Sequence, residues 1–541
     1  MKKIIIIYLI VTANLLSAQV TQEWVATYPG TGSGYNFPKK SDIDKDGNFI
    51  VAGNSDSTHG YDYIVLKYSP SGNLIWKQRY NGTGNSYDYL IGMVLDDSGN
   101  VYVTGESDDG AALGGINWVT IKYNTNGQMI WKRSLNWIGN NTDEPFGMSI
   151  DKERNIYVIG FGRVTGTERA LVTMKYNSNG DSIWVKSYTS LPSRSNWGYS
   201  VVTDDSLNVY SSGYGAVPTG NEIVTIKYDR KGIQKWIEKF PTYYGDYLRP
   251  TFSAFDKENN LIVVGYSYIS NNYDFVTLKY STEGNLLWSR LYNGGNIDRA
   301  NSLFIDNQLN ILIAGFTFKD TYGDYLILKY APNGDTLLIK NMNGEDPGSD
   351  DEAYSILSDF FGNIYITGAS QSTSFRMDYF TLKLDMNGKI IWSKRYRTPH
   401  ENFAYCLNLN SSGSIYVSGE GELSIGYTGI VSVKYSTITG ILSERINEFG
   451  SYELYNYPNP FNPTTKIKYT LLKEGIVKIT IYNSLGQRVT ELVNEFKQPG
   501  AYIAEFNARI AEQGVNLSSG IYFYQLESNG IVLTGRMLLI K

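Results

Sequence analysis

The sequence predicts an all-β protein, namely an eight-bladed β-propeller over residues 22–446 followed by a small Ig-like β-sandwich. Three observations predict this fold class. A unit of about 52 residues recurs eight times, each copy offers four strand-forming segments, and the period stops before the last stretch of about 90 residues. The 54 glycines and 45 tyrosines, with only 19% charged residues, agree with many short strands joined by tight turns.

Composition excludes several classes of protein. One cysteine and two histidines leave no disulfide framework and no zinc site rich in cysteine or histidine. The net charge of -5 disfavours a nucleic-acid partner. After the N terminus, no stretch is apolar over the roughly 20 residues that a transmembrane helix needs. Cys406 lies in an apolar predicted strand, so we expect it to pack in the core.

Residues 1–18 have the pattern of a signal peptide. Lys2 and Lys3 precede an apolar run over residues 4–16, and small residues follow up to Ala18. This run is too short to span a bilayer, and the alternative is a buried N-terminal strand. We therefore expect the mature protein to be exported.

The repeat is defined by a few residue types at nearly constant spacing. A lysine, followed by tyrosine in seven of the eight copies, recurs every 50 to 55 residues at Lys67, Lys122, Lys175, Lys227, Lys279, Lys329, Lys383 and Lys434. A glycine lies five residues after each of the first seven lysines, and a tryptophan lies nine residues after six of them. An Asp-x-x-x-Asn frame precedes the lysine in the first seven copies, beginning with Asp44 and Asn48.

Each copy is expected to contain four strands joined by hairpins. In the second copy, strand two is predicted over Val101–Thr104, strand three over Trp118–Tyr123 and strand four over Met129–Leu135. Four strands in about 50 residues is the size of a propeller blade, which buries its faces only against neighbouring blades.

The N-terminal segment is predicted to close the ring. Glu23–Tyr28 has the pattern of a fourth strand with no blade before it, while the eighth copy's own candidate, Ile441–Glu444, lacks the tryptophan. If the N-terminal strand completes the last blade, no sheet edge is left open. Seven blades with one additional repeat is the alternative.

The repeat resembles the β-propeller repeats of secreted bacterial proteins, often called seven-bladed β-propeller repeats. The shared pattern of acidic residue, aromatic and aliphatic strand, lysine, glycine and tryptophan runs here from Asp274 through Lys279 and Gly284 to Trp288. The resemblance covers about four fifths of the chain. Such proteins have many functions, so the resemblance implies the fold and little about the ligand.

A linker over residues 447–456 is followed by a second domain over residues 457–541. Three prolines within seven residues predict a stiff, extended entry, and about seven short strands fit a small β-sandwich. The segment is similar to the type A C-terminal sorting domain of the type IX secretion system, with an ordinary adhesion-type sandwich as the alternative. The candidate sorting-signal residues are Pro458, Asn459, Pro460, Phe461, Gly486, Gly500, Ser519, Gly520, Tyr522 and Lys541.

The resemblance to the sorting domain implies a route and a set of partners. The protein would pass through the periplasm and cross the outer membrane by means of the type IX secretion machinery. Such a sorting domain is often removed there, and the protein would be released or attached to surface lipopolysaccharide.

Aromatic residues in the variable connections are the candidate ligand-binding residues. These loops can vary without disrupting a blade, whereas the hairpins at the other face have nearly constant length. Aromatic rings beside polar groups suit the apolar faces and hydroxyl edges of sugars. The alternative is that these side chains pack at blade junctions. The candidates are Tyr87, Tyr89, Trp137, Trp197, Tyr244 and Tyr247.

A polar residue five positions before the repeat lysine is expected to cap a loop or to pair with a nearby lysine. Strand three lies far from the central channel, so these residues would not converge on one ligand. The six residues are Asp62, Asn117, Glu222, Asp274, Asp324 and Asp378.

No metal site is predicted, and calcium is the one cofactor that the sequence suggests. The Asp-x-x-x-Asn frames fit Asx turns better than calcium loops. The segment from Asp42 begins like an EF-hand loop but has Gly53 where the bidentate carboxylate belongs. The acidic run over residues 345–352 is the remaining calcium candidate, with a solvated loop as the alternative.

These features favour a secreted or surface-attached binding or adhesion protein whose ligand is a glycan or a protein. No catalytic residue is predicted, because His59 and His400 lie outside any nucleophile-elbow context. One alternative is a secreted carbohydrate-active enzyme with paired carboxylates at the mouth of the ring. A structural surface-layer protein is another.

Overall fold

The computed structural model divides into two compact bodies, residues 1–437 and 438–541. The predicted signal peptide, Ile441–Glu444, Tyr244, Lys541 and part of the acidic run lie outside the described residues. The described residues are 20–31, 34–108, 115–137, 142–165, 168–191, 194–241, 247–269, 272–318, 322–344, 348–359, 362–372, 376–410, 413–437, 454–471, 474–484, 486–509, 517–528 and 531–540.

The first body is built from groups of four antiparallel strands, and single parallel pairings join the fourth group to the fifth and the fifth to the sixth. Group 1 contains β2 (Asn36–Ile43), β3 (Phe49–Ser57), β4 (Gly60–Tyr68) and β5 (Leu74–Tyr80). Group 2 contains β6 (Asp88–Leu95), β7 (Val101–Asp108), β8 (Ile116–Tyr123) and β9 (Met129–Leu135). Group 3 contains β10 (Glu144–Ile150), β11 (Ile156–Thr165), β12 (Glu168–Tyr176) and β13 (Ser182–Tyr188). Group 4 contains β14 (Trp197–Thr203), β15 (Val209–Val217), β16 (Gly220–Tyr228) and β17 (Gln234–Phe240).

The later groups follow the same plan. Group 5 contains β18 (Tyr247–Phe255), β19 (Leu261–Ile269), β20 (Asn272–Tyr280) and β21 (Leu286–Tyr292). Group 6 contains β22 (Ile297–Ile305), β23 (Ile311–Phe318), β24 (Gly323–Tyr330) and β25 (Thr336–Met342). Group 7 contains β26 (Asp351–Ser358), β27 (Ile364–Gln371), β28 (Met377–Leu384) and β29 (Ile390–Tyr396). Group 8 contains β30 (Asn402–Leu409), β31 (Ile415–Ser424), β32 (Tyr427–Thr437) and the N-terminal strand β1 (Val20–Tyr28).

The N-terminal strand completes the last group, as the sequence predicts. β1 pairs antiparallel with β32 along its whole length, from Val20 opposite Thr437 to Tyr28 opposite Ile430. Within the described residues, strand pairing in this body therefore runs from residue 20 to residue 437. In group 2 the second strand was predicted over Val101–Thr104 but extends to Asp108. The added residues are paired with strand three, and the polar Ser107 lies opposite Asn117.

Neighbouring groups are joined by a hydrogen-bond pattern that explains the repeated lysine and tryptophan. The lysine Nζ of strand three and the tryptophan Nε1 of strand four both donate to one backbone carbonyl in the hairpin of the next group. This occurs at six junctions, with donor–acceptor distances of 2.7–3.3 Å. The acceptors are Pro70, Thr125, Ser178, Arg230, Thr282 and Pro332.

The repeated hairpin glycine has a steric cause at the same junctions. Gly127 has φ +81°, and a Cβ atom there would lie 2.8 Å from the Trp76 ring of the preceding group. A side chain would therefore separate the two groups or strain the turn. In group 7 the corresponding glycine, Gly388, faces Leu338 instead of a tryptophan.

The Asp-x-x-x-Asn frames form Asx turns and are also joined to the repeat lysine. In group 5, the amides of Glu258 and Asn260 donate to Asp256 Oδ1 at 3.0 and 2.8 Å. Lys279 Nζ lies 2.8 Å from Asp256 Oδ2, with both side chains almost fully buried. The same pair recurs as Lys67–Asp44, Lys329–Asp306 and Lys383–Asp359.

The first strand of each group lies beside the first strands of its neighbours, and β30 of group 8 contacts β2 of group 1. All eight first strands carry a β-bulge at the same place. A bulge re-aims a side chain and bends the strand. The bulged residues are Lys39, Ile91, Phe146, Tyr199, Thr251, Asn301, Tyr354 and Tyr405.

The second body contains two antiparallel sheets with one shared core. Its strands are β33 (Leu454–Tyr457), β34 (Thr464–Leu471), β35 (Gly475–Asn483), β36 (Arg488–Lys497), β37 (Gly500–Asn507), β38 (Gly520–Ser528) and β39 (Ile531–Leu539). The sheets have the orders β33-β34-β37 and β36-β35-β38-β39. Ile467 and Phe506 of the first sheet belong to the same buried cluster as Ile479 and Leu526 of the second.

The expectation of a stiff, extended entry to this body is wrong. The proline-rich segment bends between β33 and β34, which pair with each other as a hairpin. Asn459 accounts for the bend, because its Oδ1 accepts from the Leu538 amide at 2.9 Å and its Nδ2 donates to the Arg536 carbonyl at 3.0 Å. Phe461 is buried in the core.

Candidate functional site

In each group, one residue pair between the first and second strands has side chains of varied chemistry. Its first member lies two residues before the bulge of the first strand, and its second member is the residue opposite on the second strand. We name these eight pairs the mouth pairs. Their chemistry differs from group to group, unlike the hairpin frames. The pairs are Phe37–Asn54, Tyr89–Glu106, Glu144–Phe161, Trp197–Tyr214, Arg249–Tyr266, Arg299–Phe316, Glu352–Ala369 and Phe403–Glu420.

A glycine on the second strand makes this position possible. The residue before Tyr266 is Gly265, and a Cβ atom there would lie 2.2 Å from the backbone oxygen of Arg249. The close approach lets the first strand bulge and directs its side chains towards the preceding group. Arg249 thereby lies over Tyr199 of group 4, and Arg299 lies over Tyr273 of group 5.

The inner part of a cleft between groups 4 and 5 is almost entirely aromatic. Trp197 stacks on Tyr214 with centroids 6.1 Å apart and ring planes inclined by 18°. The Arg249 guanidinium lies 4.1 Å from the Tyr199 centroid and 5.9 Å from that of Tyr266. The cleft has a volume of about 370 Å³, and none of its described lining residues is acidic.

The outer part of the cleft consists of tyrosines and an amide. Tyr247 is 52% exposed, and its ring lies 6.5 Å from that of Tyr268. Tyr268 in turn lies 4.5 Å from Tyr273, and Asn221 completes the lining. The cleft therefore offers both aromatic faces and hydrogen-bonding groups to a ligand.

Two polar atoms in the cleft have no hydrogen-bond partner among the described residues. Trp197 Nε1 and Arg249 Nε are buried without a hydrogen bond. Burial raises the pKa of Tyr214 to about 12, although the nearby Arg249 opposes the shift, so the hydroxyl stays protonated and able to donate at neutral pH. Unsatisfied donors in a cleft are available to an incoming acceptor.

A second aromatic cleft lies between groups 8, 1 and 2. It is lined by Phe37, Lys39, Tyr89, Tyr405 and Glu420, and its volume is about 420 Å³. Lys39 Nζ lies 4.8 Å from the Tyr89 centroid. The Tyr405 hydroxyl donates to Glu420 at 3.2 Å, and burial raises the pKa of that carboxyl.

Two glutamates occupy mouth pairs of adjacent groups. Burial raises the pKa of Glu106, and the charge of Glu144 raises it further, to about 7. Burial also raises the pKa of Glu144, although Arg169 opposes the shift. A carboxyl that titrates near neutrality is suited to proton transfer.

The predicted aromatic residues separate into three places. Trp197 and Tyr247 meet in the first cleft, and Tyr89 lines the second. Tyr87 is 59% exposed and lies 6.2 Å from Tyr61 outside both linings. Trp137 packs against Gly162, where a Cβ atom would lie 2.5 Å from the Trp137 ring. Tyr244 lies outside the described residues.

Four charged residues of the mouth pairs are absent from the predicted set, although Trp197 of another mouth pair was predicted. They are Arg249, Arg299, Glu106 and Glu144. The sequence carries a signal for the second-strand members of the mouth pairs, which include Glu106, but not for the first-strand residues Arg249, Arg299 and Glu144. If the repeats are aligned on the second-strand glycine, the following residue is Asn, Glu, Phe, Tyr, Tyr, Phe, Ala and Glu in turn. Variation at one position within an otherwise regular repeat indicates a position that the blade itself does not constrain.

The polar residues five places before the repeat lysine do not form a ligand ring. Asp62 forms an ion pair with Arg79, Glu222 with Lys239 at 2.8 Å and Asp378 with Arg397 at 2.9 Å. These cations lie on or just after strand four, so the interactions brace the hairpin locally. Asp274 accepts from Asn272 Nδ2 at 2.9 Å, which is a loop cap.

The described sorting-signal residues have structural roles in the second body. Phe461 and Tyr522 are buried, and the Tyr522 hydroxyl donates to the Ser518 carbonyl at 2.9 Å. Gly486 has φ +76° in the turn between β35 and β36. Pro458 accepts from Thr465 Oγ1 at 2.7 Å. The other predicted residues lie in the proline-rich bend (Pro460), at the starts of β37 and β38 (Gly500, Gly520), just before β38 (Ser519) and outside the described residues (Lys541).

The described residues contain neither a candidate metal cluster nor a candidate membrane-spanning helix. No group of three or more His, Cys, Asp or Glu side chains there could hold a metal ion. No helix in that part of the chain is long and apolar enough to cross a membrane.

Comparison with solved structures finds folds of similar extent. Sqt1 from Chaetomium thermophilum is 10% identical with a TM-score of 0.47, and the match covers 76% of this chain and 98% of that one. The polysaccharide lyase Uly1 is 9% identical with a TM-score of 0.40, covering 76% and 99%. A protein of unknown function from Dyadobacter fermentans is 8% identical with a TM-score of 0.38, covering 77% and 99%. At this distance the activities of these proteins say nothing about this chain.

Comparison with protein families matches both bodies. Residues 456–541 match the secretion system C-terminal sorting domain, and residues 343–376 match the β-propeller repeat. No curated protein matches the chain. The chain is therefore a β-propeller repeat protein with a C-terminal sorting domain of the type IX secretion system, by which it is exported to the cell surface or the medium.

Proposed function

We propose that this protein is a glycan-binding adhesion protein whose ligand lies in the aromatic cleft between groups 4 and 5. The eight groups would be the blades of a closed eight-bladed propeller, and the second body would be an Ig-like sandwich that serves export. The observation that carries the proposal is the meeting of Trp197 and Tyr247 in one open cleft beside the unpartnered Arg249.

The chemistry of the cleft suits a sugar better than a purely apolar ligand. The faces of Trp197 and Tyr247 can pack against the C–H face of a pyranose ring. Asn221, the tyrosine hydroxyls and the guanidinium of Arg249 offer hydrogen bonds at the edges of the same surface. A concave site with aromatic walls and a few placed polar groups is the usual form of a small-ligand site.

A glycan array probed with the purified mature protein tests this proposal. We expect the wild type to bind a limited set of glycans and Trp197→Ala to lose that binding. The array is run with and without calcium, because calcium is the one cofactor that the sequence suggests. Equal binding by wild type and variant, or binding to no glycan, would count against the cleft as a glycan site.

The sorting domain is proposed to deliver the propeller and then to leave it free or attached to lipopolysaccharide. Deleting residues 451–541 should leave the protein in the periplasm, as measured by fractionation. If washing removes the wild-type protein from the cells while the lipopolysaccharide stays on them, the protein is released and not attached to lipopolysaccharide. Normal secretion of the deletion variant would refute the role of this domain in export.

A second candidate function is that of a carbohydrate-active enzyme with Glu106 and Glu144 as its paired carboxylates. The raised pKa of Glu106 favours it, because a protonated carboxyl could act as general acid while its neighbour is ionised. Release of reducing ends from the glycan that binds on the array, abolished by Glu106→Gln with binding retained, would establish catalysis. If the wild type releases no reducing ends, the enzyme function is refuted and glycan binding remains the proposed function.

A further inference from the structure

We propose that the cleft between groups 4 and 5 selects glycans that carry carboxylate or sulfate groups, with Arg249 as the anion-binding residue. This inference rests on the proposed glycan-binding function and names its class of sugar.

Arg249 is a cation without a counter-ion in the part of the chain that the structure describes. It forms neither an ion pair nor a hydrogen bond with any residue that the structure describes, and its Nε is buried. Elsewhere in this body the half-buried Arg79 pairs with Asp62, and Arg133 and Arg290 donate to backbone carbonyls. Because burying an unpaired charge is costly, a cation kept in an open cleft without an acid is suited to an anion from outside.

The geometry of Arg249 also fits an anion. Its guanidinium lies 4.1 Å from the Tyr199 centroid, so the aromatic ring supports the cation by a cation–π contact. A guanidinium offers paired N–H donors that match carboxylate and sulfate oxygens in a bidentate way. The aromatic stack therefore positions the group, and the anion would satisfy its donors.

A second cation continues the same surface. Arg299 occupies the mouth pair of group 6, is exposed, and lies 4.7 Å from the Tyr273 centroid at the rim of the cleft. It too has no acidic partner among the residues described. Two arginines at successive mouth pairs, each stacked on a tyrosine of the preceding group, fit a polymer that carries more than one negative charge.

The aromatic surroundings favour an acidic sugar over an acidic peptide. The lining provides tyrosine and tryptophan rings beside the cation, and such rings suit the C–H face of a pyranose. An acidic pyranose can place its ring against Tyr247 and its charged group at Arg249.

Three oligosaccharide probes of matched length test the inference with the full mature chain. They are an oligogalacturonide, the same oligosaccharide after reduction of its carboxyl groups, and a sulfated galactan oligosaccharide. Affinities are measured by titration calorimetry for wild type, Arg249→Gln and Arg154→Gln. Arg154 lies in a hairpin at the opposite end of the strands, paired with Asp97, so its variant makes the same change in net charge away from the cleft.

We expect the wild type to bind at least one acidic probe tenfold or more tightly than the carboxyl-reduced probe. Arg249→Gln should bring that ratio close to one, and Arg154→Gln should leave it unchanged. Preference for the uronate or for the sulfate identifies the anion. Equal binding of acidic and reduced probes that still requires Trp197 would overturn the inference and leave the glycan-binding function standing. Binding of none of the probes would also overturn it, while the array decides the broader function separately.

Discussion

Lys434 and Trp24, at opposite ends of the propeller sequence, donate hydrogen bonds to the same backbone oxygen. Lys434 Nζ lies 3.2 Å and Trp24 Nε1 3.0 Å from the carbonyl oxygen of Pro70. Lys227 and Trp236, which are close in sequence, share the carbonyl of Thr282 in the same way. The N-terminal strand therefore takes the place of strand four in the last group and connects that group to the first.

This closure predicts that Trp24→Phe destabilises the propeller as much as the internal substitution Trp236→Phe. Each variant loses one N–H donor and part of a half-buried ring, which should lower the free energy of unfolding by about 1–3 kcal/mol. Urea unfolding of the two variants and the wild type measures the effect. Loss of stability in Trp236→Phe alone would mean that the N-terminal strand does not hold the ring closed.

The buried ion pair of group 5 predicts a larger effect. Asp256→Asn keeps the Asx-turn acceptor but leaves Lys279 charged and unpaired, which should cost about 3–5 kcal/mol. The matched control is Asp229→Asn, whose partner Lys235 is about half exposed, and it should cost less than about 1 kcal/mol. Chemical unfolding measures both, and equal losses would contradict a structural role for the repeated Lys–Asp pair.

The repeated architecture was predictable because each repeated residue type has a local role that recurs. Lysine, glycine and tryptophan at fixed spacing identified the hairpins, and the extra tryptophan segment at Glu23–Tyr28 identified the strand that closes the last group. Two contacts were not predicted. The pairing of the repeat lysine with the Asx-turn aspartate joins strand three to the hairpin between strands one and two. The carbonyl that the lysine and tryptophan share lies in the next group.

The mouth pairs were harder to predict because they depend on register and not on residue type. Arg249 lies two residues before the bulge of its first strand and reaches Tyr199 of the preceding group, a contact between residues 50 positions apart that residue type alone does not indicate. Trp137 shows the converse, since an aromatic residue in a variable loop packs against Gly162 at a group junction. An aromatic residue in a predicted variable loop can therefore be either a ligand-binding residue or a packing residue, and its place in a loop does not show which.

The raised pKa of Glu106 predicts a pH-dependent stability. Below about pH 4.5 its carboxyl is protonated in both folded and unfolded chains, whereas between about pH 4.5 and 7 only the unfolded chain ionises. Stability of the wild type should therefore fall over this interval. Glu106→Gln should remove on the order of 2 kcal/mol of that fall, allowing for the partial exposure of the side chain.

Unfolding free energies measured from pH 4.5 to pH 7.5 test this dependence. Glu283→Gln is the control, because a hydrogen bond from the Thr282 hydroxyl lowers the pKa of Glu283, an opposite shift on an exposed turn. Parallel pH profiles for wild type and Glu106→Gln would show that the carboxyl titrates normally.

The anchoring of the proline-rich bend in the second body predicts a local effect. Asn459→Ala removes the acceptor of the Leu538 amide and the donor to the Arg536 carbonyl. Hydrogen exchange in the last strand should become at least tenfold faster, equivalent to about 1.4 kcal/mol. Asn462→Ala alters an exposed neighbour and should leave exchange unchanged. Equal protection in both variants would mean that Asn459 does not hold the bend.

Titration calorimetry with the best-bound array glycan tests the central claim, that the cleft between groups 4 and 5 is the glycan site. The variants are Trp197→Ala, inside the cleft, and Tyr87→Ala, an exposed aromatic residue outside it. We expect Trp197→Ala to weaken binding at least tenfold, or about 1.4 kcal/mol, and Tyr87→Ala to change it less than twofold. Weakened binding in Tyr87→Ala with full affinity in Trp197→Ala would contradict the account.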